Sequence, residues 1–295
     1  VICACIDIGS NTTRLLVAEP VDGRVRELLR QRAFTRIGKD LQRDDTIPRK
    51  KIREVAQIVA TQVRVARELG SETIRAVATA AIREAANQDQ LTGAIADRTG
   101  IEVVVLTDEE EARLAFVGAT SALDHPPDGD IAVIDVGGSS SEIAIGTIAG
   151  GVRASSSFRI GSGVLADAYL RSDPPSVHEL QQLRAHVSGT FEGFTMPTPE
   201  LAVAVGGSAT ALRRLVGTVL DHESLERGLR ILATTPSDGV ARSTELEAER
   251  VRLLPAGLLI LEEISDHLER HLVVGRGGLR EGVILDTLIG AGWGA

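Results

Sequence analysis

The sequence predicts an α/β protein made of two duplicated halves that face one another across a cleft. Three observations predict it. Strand-like and helix-like segments alternate along the chain. A turn-rich stretch, Asp124-His-Pro-Pro-Asp-Gly-Asp130, breaks the pattern, which then restarts. The restart repeats a motif, because Asp7-Ile-Gly-Ser-Asn-Thr-Thr-Arg14 and Asp135-Val-Gly-Gly-Ser-Ser-Ser-Glu142 each follow one apolar strand and precede another. Both read Asp-x-Gly and then small residues bearing hydroxyls or amides. The 295 residues suffice for two domains of ordinary size. They divide at 1–122 and 123–295, with a last helix, about residues 283–291, that could pack back on the first domain.

The elements follow in order. Val1 to Ile6 is apolar and β-prone, Asp7 to Asn11 is a turn, and Thr12 to Ala18 is apolar again, which makes a hairpin. Arg24 to Phe34 is a third strand. Val55, Val59, Val63 and Ala66 fall at helical spacing in a segment, Arg53 to Leu69, that stops at Gly70. A strand at Ile74 to Ala78, a helix at Ala86 to Arg98 closed by Gly100, a strand at Ile101 to Leu106 and a helix at Glu109 to Ala119 complete the first half. The second half reads as strands at Ile131 to Val136, Glu142 to Ile148 and Val152 to Phe158, and a strand at Leu201 to Val205. Helices are expected at Ser176 to Glu192 and Pro255 to Arg270, and a final apolar helix runs from Val283 to Ile289.

Composition narrows the function. The formal net charge of −9 disfavours a nucleic-acid binder, and an aromatic content of 2% leaves little to stack bases on. Only three lysines stand among 32 basic residues. Arginine's fixed fork suits phosphate, although genomic composition explains the bias equally well. No apolar run approaches the roughly 18 residues that cross a bilayer. The N-terminus reads as a strand and not as a leader, so a cytoplasmic protein is expected. Cys3 and Cys5 share one face of a strand and form no disulfide framework; they read as core.

The turns carry the chemistry. A hairpin turn of Gly, Ser, Asn and Thr leaves backbone N–H groups unpaired, and its small side chains let an anion approach them. Gly9, Ser10, Asn11 and Thr12 in the first turn, and Gly137, Gly138, Ser139, Ser140 and Ser141 in the second, are the candidate phosphate contacts. The aspartate heading each turn, Asp7 or Asp135, would repel that phosphate unless a cation such as Mg²⁺ lay between them. Gly207 and Ser208 sit in a third turn that follows a strand and opens a helix, where backbone donors meet the helix dipole. Asp108-Glu-Glu-Glu111 opens the last helix of the first half. The first three carboxylates complement the dipole, whereas Glu111 shares a face with Leu114, Ala115 and Gly118 and is a candidate general base. Arg83 offers a bidentate fork to phosphate or is a surface helix arginine. Gly277-Gly-Leu-Arg-Glu-Gly282 places charges in a glycine-rich turn, suggesting domain docking or a cleft rim.

With these motifs the chain resembles the exopolyphosphatase and guanosine pentaphosphate phosphatase (Ppx/GppA) family along essentially its whole length. The carriers are Asp7-Ile-Gly-Ser-Asn11, Ala78-Thr-Ala-Ala-Ile-Arg83, Glu110-Glu-Ala-Arg113, Asp135 to Glu142, Val205-Gly-Gly-Ser208 and Gly278-Leu-Arg-Glu-Gly282, in the family's order. The resemblance implies two duplicated ribonuclease-H-like domains of the actin, Hsp70 and sugar-kinase superfamily, in the short form without a C-terminal HD-type domain. It implies Glu111 as the catalytic glutamate, Glu142 as the second acidic residue, Arg83 as a phosphate contact and Mg²⁺ as the cofactor; the turn chemistry puts that ion near Asp135 and Glu142, with Asp7 as a further candidate ligand. It also implies hydrolysis of terminal phosphoanhydrides of polyphosphate or removal of the 5′ phosphate of pppGpp, and it allows a homodimer. The chain departs from the family at Ser139, where a third glycine is usual, at Arg252 and Val164, and at Asp40.

The chemistry expected is in-line attack of water on a terminal phosphoryl group, with Glu111 orienting and deprotonating the water. Two rivals remain open. One is an ATP-dependent kinase or ATPase with its nucleotide at Gly206-Gly207; the other is a polyphosphate or alarmone sensor with weak or no activity. No membrane and no nucleic-acid partner is expected.

Overall fold

The computed structural model describes residues 1–38, 41 and 45–288, so Asp40 and the part of the last helix expected beyond residue 288 lie outside the described residues. The chain divides into two compact units, residues 1–124 together with the chain from Gly277 onward, and His125–Arg276.

The first unit begins with β1 (Cys3–Ile8), β2 (Thr12–Val21) and β3 (Arg24–Phe34), and continues with α1 (Arg49–Glu68) and β4 (Thr73–Ala78). A single helical turn, α2 (Ala80–Arg83), then leads to α3 (Gln88–Thr99), β5 (Val103–Val105) and α4 (Asp108–Thr120). The sheet order is β3-β2-β1-β4-β5, with β1 antiparallel to β2 and parallel to β4. Alternation along β1 sorts its side chains between the two faces. Ala4, Ile6 and Ile8 pack with Val55, Val59 and Val63 of α1 and Leu91 and Ile95 of α3. Cys3 and Cys5 point the other way and are buried, free thiols, in a cluster with Leu114 of α4. The start of α4 is fixed by a capping box in which Thr107 and Glu110 satisfy each other's backbone N–H groups.

The second unit holds β6 (Ile131–Val136), β7 (Ser141–Thr147) and β8 (Gly151–Phe158), then α5 (Ser162–Tyr169), α6 (Val177–Thr190), β9 (Leu201–Val205) and α7 (Gly206–Val216). It continues through β10 (Val219–Leu220), α8 (His222–Thr234), α9 (Ser237–Thr244), α10 (Ala248–Leu268) and β11 (Leu272–Val274). Its sheet runs β10-β11-β9-β6-β7-β8, so β8-β7-β6-β9-β11 repeats the order of the first sheet. The repetition extends to single residues. Asp7 faces Arg14 across the first hairpin, and Asp135 faces Glu142 across the second. Gly9 N–H donates to Thr12 O and Gly137 N–H to Ser140 O, both at 3.0 Å. The register shifts between Val17 and Ala18 in one unit and between Ile145 and Gly146 in the other, at matching places.

The last helix, α11 (Leu279–Leu288), returns to the first unit, which places the chain from Gly277 there and not with 123–276. The reason is packing. Leu279, Val283 and Ile284 complete the cluster around Cys3 and Cys5, and α11 meets α4 backbone to backbone. A Cβ on Gly118 would stand 1.9 Å from Gly278 O, and one on Gly282 would stand 1.9 Å from Leu114 O.

Elsewhere the elements differ from expectation in physically readable ways. Helix α10 starts at Ala248 and carries Pro255 inside it, where the sequence suggests a first-turn proline. Val251, Leu254, Leu258 and Leu261 form one buried stripe, and that burial outweighs the single backbone bond the proline removes. Helices α5, α8 and α9 and the two-residue β10 are additional. Asp221 caps α8 by accepting from Ser224 N at 2.9 Å. No helix among the described residues is long and apolar enough to cross a membrane.

Candidate active site

In the first unit the β1–β2 turn is wrapped from outside by the segment after β3. Thr35 N and Arg36 N donate to Asn11 O at 3.0 and 3.1 Å, and Gly38 N donates to Ser10 O at 3.0 Å. With its carbonyls consumed, the turn keeps the composition of an N–H nest. Ser10 is buried, its hydroxyl packed where any side chain on Gly38 would have to go, at 2.0 Å from that Cβ position. The Thr12 hydroxyl accepts from Arg14 Nε at 3.0 Å. Thr79, just past β4, closes the site from the side, with N–H to Ile8 O at 3.3 Å.

Arg83 and Glu111 come together. Arg83 Nη1 lies 3.5 Å from Glu111 Oε2, and the same guanidinium binds Leu106 O and the Asp108 carboxylate. Arg83 therefore ties the end of the β4 segment to the first turn of α4. Glu110 is spent on the capping box, while Glu111, one residue on, is buried.

Asp7 sits on the face of β1 that α11 covers. Burial raises its carboxyl above the ordinary 3.8, Arg14 and Arg280 pull it down, and Glu281 adds to the rise. Between 3.8 and the raised value the folded chain holds a proton that the unfolded chain has lost, so stability falls as pH rises through this window. Asp7→Asn is therefore expected to melt above the wild type at neutral pH. The difference should vanish by about pH 3, where both states hold the proton. Thermal melts across that range check this, and a deficit for the variant at neutral pH would contradict it.

In the second unit the corresponding turn is backed by the start of α5. Ser162 N donates to Gly137 O at 2.9 Å, and Gly163 N and Val164 N both donate to Gly138 O at 3.0 Å. A Cβ on Gly161 would stand 2.4 Å from Gly138 C, so only glycine allows this approach. The wrapping segments share a short sequence, Arg36-Ile-Gly38 and Arg159-Ile-Gly161, each just after the third strand of its unit. Both isoleucines are buried.

Asp135 and Glu142 stand directly opposite one another on neighbouring antiparallel strands. Glu142 is 3% exposed, and its Oε1 accepts from Ser157 Oγ at 3.3 Å. Gly206 has a φ of 81°, and a Cβ there would lie 2.1 Å from Asp135 Oδ1, so the carboxylate rests on the start of α7. Two of the serines serve packing. Ser141 Oγ donates to Ile160 O at 2.7 Å, and Ser208 is 1% exposed with its hydroxyl against Gly257 of α10, not in the turn. Gly138, Ser139 and Gly207 keep partial exposure beside them, as does Gly137.

The order of the two sheets and the two matched turns define the class: an α/β protein in which one sheet-and-hairpin unit occurs twice. The family model of the Ppx/GppA phosphatase family matches residues 16–290. The chain belongs to that family and is a hydrolase of it. Among curated proteins it is similar to exopolyphosphatase 2 of Mycobacterium tuberculosis, at 27% identity over 97% of this chain and 96% of that one. It is also similar to guanosine-5′-triphosphate,3′-diphosphate pyrophosphatase of Vibrio atlanticus, at 24% identity over 97% of this chain but 59% of that one. Among solved structures, the Ppx/GppA family member of Aquifex aeolicus superposes with a TM-score of 0.83, at 27% identity, covering 100% of this chain and 99% of that one.

Proposed function

We propose that the chain is an exopolyphosphatase, hydrolysing the terminal phosphoanhydride of inorganic polyphosphate by in-line attack of water. The observation that carries the reading is the pair of hairpin turns with one register and one internal hydrogen bond, each headed by an aspartate. The relative matched along almost its entire length is an exopolyphosphatase by name, which favours polyphosphate over pppGpp.

The donor set fits Mg²⁺. Asp135 and Glu142 stand directly opposed across the β6–β7 ladder and put two carboxylates, hard oxygen donors, on one face of it. Mg²⁺ takes one or two carboxylates and fills its remaining positions with phosphate oxygens and water. No group of three or more candidate ligands occurs among the described residues. Asp135 and Glu142 would hold the ion, which supplies charge neutralisation at the transferring phosphoryl group. Asp7 has Arg14 opposite and is served by that guanidinium instead.

The remaining work falls to the chain's own groups. The N–H groups of Ser10 to Thr12 and of Gly138 to Ser140 position the phosphoryl oxygens. Glu111 accepts a proton from the attacking water, and Arg83 fixes the carboxylate that does so. The transition state is loose, so positioning and charge neutralisation dominate.

The test is phosphate release from polyphosphate, pppGpp and ATP, each with Mg²⁺ and with chelator. The fastest release is expected from polyphosphate, and chelator should abolish it. Faster release from pppGpp would select the guanosine pentaphosphate reading, turnover of ATP alone an ATPase, and tight polyphosphate binding without release a sensor.

A further inference from the structure

The second unit holds a cavity of about 60 Å³ that no residue of its phosphate-like turn lines. It lies between α5, the loop after α5, the α8–α9 connection and the start of α10. Leu170, Leu232 and Val251 give it apolar walls. The loop side is preformed. Glu179 accepts from Arg171 N, Ser172 N and Ser176 N at 2.6, 3.0 and 2.7 Å. Asp173 Oδ1 accepts from Ser237 N at 2.8 Å and from Ser237 Oγ at 2.9 Å, which ties the loop to the first residue of α9.

Opposite charges line this cavity without meeting. Arg252 of α10 and Asp167 of α5 both contribute to it, and among the described residues neither makes a hydrogen bond or an ion pair. Asp173 supplies a second carboxylate, with only its Oδ1 engaged by Ser237. A further acceptor comes from the helix itself. Pro255 has no N–H to give the carbonyl of Val251 one turn earlier, and both residues line the cavity. A simple anion here would meet two carboxylates, and a simple cation would meet a guanidinium, so the wall charges select against each. A guest carrying both charges meets neither penalty. Its carboxylate suits the planar fork of arginine, and its ammonium has three donors for the carboxylates and the carbonyl. Size narrows the guest further. A water needs about 10–15 Å³ of such space, so the cavity takes about four to six water-sized groups. Glycine, alanine and serine are of that size.

We propose that this cavity binds a small zwitterion of the α-amino-acid class, its carboxylate on Arg252 and its ammonium on Asp167, Asp173 and the Val251 carbonyl. The site stands apart from the phosphate chemistry, because no residue of either turn lines it. It does not depend on that reading.

The test is calorimetric titration of the full chain with glycine, L-alanine and L-serine, and with acetate and methylammonium as half-ligands. Arg252→Gln and Asp167→Asn are titrated beside the wild type, and melting temperatures are recorded for all three. At least one amino acid is expected to bind the wild type and raise its melting temperature. Each variant should bind that amino acid about 10–100-fold more weakly, the range of a lost charged hydrogen bond. Acetate and methylammonium should each bind at least about tenfold more weakly than the amino acid, since each forfeits one charged contact. A wild type that binds none of the three amino acids would overturn the proposal, as would folded variants with wild-type affinity. Acetate binding as tightly as the amino acid, with Asp167→Asn silent, would reduce the cavity to an anion site and contradict the zwitterion. Methylammonium doing so, with Arg252→Gln silent, would contradict it from the other side. Both substituted side chains are exposed, and should one variant fail to fold, the other decides.

Discussion

Glu111→Gln slows phosphate release about 10²–10⁴-fold, the range of a lost general base, while leaving the melting temperature close to that of the wild type. The substitution keeps the shape of the side chain and an oxygen facing Arg83, which lies 3.5 Å from Glu111 Oε2. It removes the ability to take a proton. The loss should fall on kcat, because the turns proposed to hold the phosphate are untouched. Glu110→Gln is the control on the same helix turn. Glutamine serves a capping box as well as glutamate does, so that variant should keep both stability and rate. Steady-state kinetics of the two side by side check the assignment, and a Glu111→Gln enzyme within threefold of the wild type would remove Glu111 from the base role.

Glu142→Gln gives the second large effect, and it separates stability from function. Asp135 and Glu142 face each other directly, and glutamine keeps the size and an acceptor oxygen of the side chain it replaces. The Ser157 hydroxyl that donates to Glu142 at 3.3 Å finds an acceptor in either residue. In Mg²⁺-free buffer the variant should therefore melt close to the wild-type temperature. Mg²⁺ should then raise the wild-type melting temperature, since an ion at 100 times its Kd adds about 2.7 kcal/mol, and should raise the variant's much less. Phosphate release should fall with it. Equal Mg²⁺ shifts in the two proteins would place the ion elsewhere.

How far the site was legible in the sequence depends on how local its determinants are. The two hairpins were readable because an Asp-x-Gly turn between apolar strands is a short-range signal, and doubling it gave the internal repeat. Glu111 was separable from Asp108, Glu109 and Glu110 by helical spacing alone, and the capping box that occupies Glu110 agrees with that separation. The packing behind the turns was less legible. Arg36-Ile-Gly38 and Arg159-Ile-Gly161 form a matched pair of wrapping segments, but three residues carry little signal until the strands before them are aligned. That Gly206 makes room for the Asp135 carboxylate is a contact between distant segments that no spacing encodes. Ser208 looked like a phosphate contact because it follows two glycines at a helix start, yet its hydroxyl is packed against Gly257. Arg83 looked like an open fork and is shared among Leu106 O, Asp108 and Glu111. Both cases show tertiary contacts redirecting a side chain that local pattern leaves undetermined. The start of α10 misled for the converse reason: a proline signals a helix beginning, and here a continuous buried stripe from Val251 to Leu268 overrides it.

The central claim is that two matched turns, a base and an opposed carboxylate pair remove phosphate from the end of a polyphosphate chain. The most direct measurement is the product distribution from polyphosphate of one defined length, followed over time with Mg²⁺ and with chelator. The account predicts orthophosphate and chains shortened from the end, only with Mg²⁺. Internal fragments of intermediate length, or release that persists in chelator, would contradict it.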